Sequence, residues 1–175
     1  MLERARELAE AGQLDEAWRI CSDHLNRNPE SGPALVLASF IHEKRGQVGL
    51  SYNLAKRIVE LYPHESAGWT NLGRCADVMW RMPEALAAYD KALMWAKNDQ
   101  AKVAVLVNQS AVHVQEGRFA KAKAIARREL EIDPDSRKGQ HNLGVSLLAE
   151  RDWSGWTWYR GSLGSGNRLC WKYAD

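Results

Sequence analysis

Trp69-Thr70-Asn71-Leu72-Gly73 returns in degraded form as Gln140-His141-Asn142-Leu143-Gly144. The chain around the two copies repeats with a period near 34 residues: Pro29 and Pro63 lie 34 positions apart, each after an apolar-periodic segment and before a new one. Asp133-Pro134 has the same context as Asn28-Pro29 and Tyr62-Pro63. A residue before proline is pushed out of the α region, so each dipeptide predicts a helix end. Small residues, Ala17, Ser51 and Ala122, stand twelve positions before the three prolines, and Gly12, Gly46 and Gly117 stand five before those. The glycines predict the turn between two helices of one repeat. Ala85 is the matching small residue of a further repeat.

These spacings resemble the tetratricopeptide (TPR) repeat. The clearest copy runs from Ser66 to about Ala96 and carries Trp69, Leu72, Gly73, Ala76, Ala85, Tyr89 and Ala92 at the family's key positions. The resemblance divides the chain into five repeats, about 1–31, 32–65, 66–102, 103–136 and 137–163, read as a single array. Residues 164–175 are left as a cap or tail. The third repeat carries about three extra residues, Lys97 to Asp99. The implied fold is an all-α, right-handed solenoid of nine or ten antiparallel helices without a sheet. The packing logic agrees. Ala5, Ser39, Gly73, Ser110 and Gly144 at position eight let the first helix of a pair approach the second. Ala17, Ser51, Ala85 and Ala122 at position twenty do so from the other side, and Leu8, Leu35, Leu54, Trp69, Leu72, Tyr89, Leu106 and Phe119 fill the space between pairs.

Composition narrows the function. The 24 basic and 22 acidic residues leave a formal charge of +2, no footprint for nucleic acid or an anionic membrane. Lys121, Lys123, Arg127 and Arg128 form the densest basic patch, read as a solvated outer face that also carries Glu129 and Glu131. No apolar run approaches the roughly 20 residues of a membrane-spanning helix, and Met1-Leu2-Glu3-Arg4 lacks a signal peptide's apolar segment. Cys21, Cys75 and Cys170 imply no disulfide framework; Cys21 and Cys75 read as buried small hydrophobes. The expected setting is cytoplasmic.

The sequence holds no metal-ligand spacing, cofactor motif or nucleophile elbow, so no catalytic residue, metal or cofactor is expected. His24, His42, His64, His113 and His141 are scattered over polar helix faces or loops. The run Gly161-Ser162-Leu163-Gly164-Ser165-Gly166 follows no strand, lacks a lysine and reads as a flexible turn.

Binding is expected on the first helices of the repeats, which line the concave face in TPR arrays. Asparagine recurs at position six as Asn71, Asn108 and Asn142. An amide offers both donor and acceptor, so such a column can bind an extended peptide through its backbone. This resembles the asparagine ladder of O-GlcNAc transferase; the alternative is that the amides tie neighbouring helices together. Glu3 and Leu37 break the column in the first two repeats. The carboxylate clamp of chaperone-binding TPR proteins is matched only by Asn108 and Lys138, with Thr70, Arg74 and Asn142 departing from it. Arg74 and Lys138 are expected to favour an acidic peptide.

The fifth repeat departs from the pattern. Shortening its turn by one residue places Gly155 rather than Trp156 at position twenty and brings Tyr159 to a core position. The segment Asp152 to Arg160 resembles the last TPR repeat of bacterial proteins in which the array precedes a glycosyltransferase-like domain, for which 175 residues leave no room. Its aromatics either cap the array or, through Trp153 and Trp158, dock a partner. The expected function is a non-catalytic interaction module for a peptide or protein partner. The alternatives are the substrate-recruiting arm of a glycosyltransferase and a self-associating subunit of an assembly such as a virion.

Overall fold

The computed structural model describes residues 1–163; the proposed tail, 164–175, and Cys170 lie outside the described residues. The described chain has ten helices and no strand: α1 Leu2–Glu10, α2 Leu14–Arg27, α3 Gly32–Lys44, α4 Val48–Leu61, α5 Ser66–Val78, α6 Met82–Met94, α7 Asp99–Gln115, α8 Phe119–Ile132, α9 Arg137–Ala149 and α10 Gly155–Ser162. They form five helical hairpins of a TPR-type solenoid. The described residues divide into two compact units, Met1–Ala96 with α1 to α6 and a second from Lys97 onward with α7 to α10. The division falls at the three extra residues noted in the sequence.

Helix limits follow the local chemistry. α2, α4 and α8 stop one residue before Asn28-Pro29, Tyr62-Pro63 and Asp133-Pro134, and Asn28, Tyr62 and Asp133 leave the helical region (ψ 77°, 64° and 87°). The Asn98 side chain caps α7 by accepting from the Ala101 amide, and Ser136 caps α9 by accepting from Gly139. Inside each hairpin the chain reverses through one residue of positive φ. Gly12, Gly46 and Gly117 take it at +82°, +72° and +70°. The following amide then reaches back to the helix, as Gln13 does to the Leu8 carbonyl at 2.8 Å. Trp80 and Arg151 occupy the same place at +59° and +60°, where no glycine announces the turn.

The small positions are buried as the repeat requires. Ser39 and Ser51 meet through their hydroxyls at 2.9 Å, and the Cys75 thiol lies 3.2 Å from Ser51. Gly73 has no room for a Cβ, which would stand 2.7 Å from Cδ1 of the buried Tyr89. A Cβ on Gly155 would stand 2.7 Å from the Gly144 carbonyl oxygen, so these two glycines form the last close contact and the shortened fifth repeat is correct. Leu8, Leu35, Leu72, Tyr89 and Leu106 are buried; Leu54, Trp69 and Phe119 are half-buried. The N-terminal unit centres on Leu8, Cys21 and Ile41, with Val59, Leu72 and Ala88 behind them; the C-terminal unit packs Leu130 of α8 on Leu143 and Leu147 of α9. Burial pushes the Cys21 thiol up to about 11 and raises that of Cys75, as expected of inert core cysteines.

Three expectations fail in detail. Glu129 is not on the solvated face of α8; it is fully buried, because its side chain turns onto Gly139 of α9. His42 and His113 are buried too, and His42 Nδ1 sits 2.7 Å from Gln47 Oε1. Gly161 and Ser162 belong to α10 rather than to a turn, since the Ser162 hydroxyl donates to the Tyr159 carbonyl at 2.6 Å and fits the last helical turn.

Candidate functional site

In the C-terminal unit, α7 and α9 are first helices of successive hairpins, and they face each other beside the end of α10. They border an open pocket of about 610 Å³, within the usual range for ligand sites. Asn108 from α7 and Lys138 and Asn142 from α9 all line it, so three of the residues selected from the sequence meet at one cavity.

The three are not equivalent. Asn108 is half-buried and Lys138 is exposed. Asn142 is only 7 % exposed, and its amide nitrogen donates to the Val107 carbonyl at 3.2 Å and to the Ser110 hydroxyl at 2.8 Å. Both of its N–H groups are thereby committed to holding α9 on α7. The Ser146 hydroxyl in turn donates to the Asn142 carbonyl at 2.7 Å. Only the side-chain oxygen of Asn142 remains for an incoming donor.

Sequence reasoning missed Arg137 and His141, which line the same pocket. Arg137 Nε donates to the Ser162 carbonyl at 2.9 Å, which fixes the guanidinium against the end of α10. The His141 ring lies 5.3 Å from that of Tyr159, centroid to centroid. The signal was present: Lys138 and His141 are three apart on one helix, hence on one face, and Arg137 is adjacent.

Asn71 and Arg74 lie on α5 of the N-terminal unit, each partly exposed. Arg74 pairs with Glu43 of α3, so its charge is already compensated. At the other end of the chain, Trp153 in the turn before α10 is 70 % exposed and Trp158 on α10 is 38 % exposed. Trp156 packs edge-on to Tyr159 at 5.9 Å. Among the described residues no helix is long and apolar enough to cross a membrane, and no group of three or more metal-ligating side chains is assembled.

No protein-family model and no curated protein sequence matches the chain. Solved structures do. The PilF protein of Pseudomonas aeruginosa superposes with a TM-score of 0.84 at 15% identity, covering 93% of this chain and 73% of its own. A thermophilic TPR protein of Thermus thermophilus gives 0.79 at 18% identity, with 96% and 91% covered. YrrB, described as a TPR protein with an unusual peptide-binding site, gives 0.68 at 14% identity, with 93% and 82% covered. At these identities the likeness establishes the fold alone.

Proposed function

We propose that the chain is a non-catalytic protein-interaction module whose C-terminal unit binds an extended peptide or partner segment between α7 and α9. The observation that carries this reading is the convergence of Asn108, Lys138 and Asn142 on one open pocket. Amide donors and acceptors beside a cation suit a peptide backbone with polar side chains. The peptide-binding site of YrrB, a protein of the same fold, is in keeping with it. On the N-terminal unit, Asn71 and Arg74 are the corresponding polar groups of α5. The exposed Trp153 supports a second reading, in which it docks a partner together with Trp158, since exposed tryptophans are favoured interface anchors.

Selection of displayed random peptides on the purified chain tests the proposal. It should enrich binders, and Asn108→Ala should weaken many of them alike, roughly threefold to tenfold for one neutral hydrogen bond, without moving the melting point. Asn142→Ala should instead lower the melting point, because it removes the bonds to Val107 and Ser110. The proposal fails if no peptide is enriched over an unrelated helical protein. Enrichment that depends on Trp153 and ignores Asn108 would favour the docking reading.

A further inference from the structure

We infer that the α7–α9 pocket selects its peptide by a side-chain carboxylate, Asp or Glu, held by Arg137 and Lys138 with His141 beside them. This rests on the peptide-binding reading above and names what the peptide carries.

The first ground is the lining. Of the residues around the pocket none is acidic, while Arg137, Lys138 and His141 all border it. Lys138 is exposed and has no acidic partner among the described residues; neither has Arg137, whose one hydrogen bond is from Nε to the Ser162 carbonyl. That bond orients the planar guanidinium and leaves its terminal nitrogens available for the fork that a carboxylate accepts. On α5 of the N-terminal unit the cation is treated differently, for Arg74 is closed by Glu43.

The second ground is position. Arg137 and Lys138 are the first two residues of α9, and its first turn contains no acid. The partial positive charge of a helix start favours acidic residues and disfavours cations there. Arg137 is compensated by its bond to the Ser162 carbonyl at the end of α10, whereas Lys138 has no such return, and a local rule broken without compensation points to a site. Glu129 does not reach the pair, since its carboxyl is buried against Gly139 in the α8–α9 contact and makes no ion pair with Arg137 or Lys138. An arriving carboxylate would meet two cations, the helix start and the Asn108 amide in one cavity.

This site differs from the carboxylate clamp of chaperone-binding TPR proteins. Arg137, its anchorage on Ser162 and the His141–Tyr159 contact belong to the end of this chain's own fifth hairpin.

The test begins with random dodecapeptides selected on the full chain. The best binder is then synthesised in capped form with Glu, Gln or phosphoserine at its acidic position and titrated by calorimetry. Wild type should yield peptides enriched in Asp and Glu, and should prefer the Glu form to the Gln form about tenfold at low salt. That preference should shrink in 1 M NaCl, where the screening length is about 3 Å. Lys138→Gln should reduce it severalfold, and Arg137→Lys should reduce it while keeping the charge, because the fork is lost. Arg128→Gln, an equal charge change on the exposed side of α8, should leave it intact. Unaltered melting of Lys138→Gln excludes a folding defect. Selected peptides without excess acid, or equal binding of the Glu and Gln forms, would overturn the inference and leave peptide binding standing. A preference for phosphoserine over Glu would overturn the carboxylate assignment. Failure to select any peptide would remove the peptide-binding reading together with it.

Discussion

Glu129 and Gly73 show how single side chains set the register of neighbouring helices. Glu129 lies fully buried on the α8 side of α9, and neither of its carboxyl oxygens makes a hydrogen bond of good geometry. Desolvation raises its pKa above the ordinary 4.5; Asp133 adds to the rise, and the nearby Ser136 hydroxyl partly opposes it. The folded state therefore holds this proton more tightly than the unfolded chain does. Its contribution to stability is fully present below the unfolded value near 4.5 and is lost as pH rises through the raised native value. Glu129→Gln cannot ionise, so its stability relative to wild type should increase from acidic to neutral pH. Urea midpoints of both proteins measured across that range would show the divergence, and parallel curves would mean that the carboxyl is solvated. Gly73 makes the opposite demand, for no atom at all. Its missing Cβ would stand 2.7 Å from Tyr89 Cδ1 inside the core, so Gly73→Ala should cost about 1–3 kcal/mol, read from the same denaturation curves. The demand at Gly73 was legible from the repeat. The burial of Glu129 was not, because a glutamate in Arg127-Arg128-Glu129-Leu130-Glu131 has the local composition of a solvated face, and only the glycine opposite makes space for it.

Helix limits were readable wherever one residue type decides the backbone. Proline stops α2, α4 and α8, and glycine turns three of the five hairpins. Trp80 and Arg151 were unreadable as turns because they adopt positive φ against their own preference, imposed by the packing of the two helices they join. A left-handed conformation costs a non-glycine residue about 1–2 kcal/mol, whereas glycine adopts it freely but loses more entropy on folding. The Trp80 indole is 77 % exposed and brings little burial in return. Trp80→Gly should therefore stabilise the protein by about 0.5–1 kcal/mol, raising the thermal midpoint by a few degrees. A lower midpoint would mean that the indole packs to advantage on the α5–α6 hairpin. The candidate site was half legible for a related reason. Periodicity puts Asn108, Lys138 and Asn142 on first helices, but it cannot tell an amide that ties α9 to α7 from one that waits for a ligand. That distinction depends on Val107 and Ser110 standing within reach of Asn142 and on no such pair being held by Asn108.

For the molecule as a whole, the repeat pattern specifies fold far more tightly than function. Small and large positions must agree along every hairpin for the core to close, whereas the polar residues of the first helices face few such requirements. The C-terminal unit is where those polar residues assemble into a cavity, and hydrogen exchange can locate binding without presupposing the ligand's sequence. A ligand that binds only the folded state adds about 2.7 kcal/mol of protection at a hundredfold excess over its Kd. Amides that exchange through local opening gain it only where the opening breaks the site. With a selected peptide in excess, exchange should slow most in α7 around Asn108 and in α9 from Gly139 to Asn142. It should slow next at the end of α10, whose Ser162 carbonyl receives Arg137. The exposed start of α8 at Ala120 and Lys121 should keep its free rate. Protection centred on α10 and the Trp153 turn, with α7 unchanged, would move the binding surface to the aromatic end of the chain.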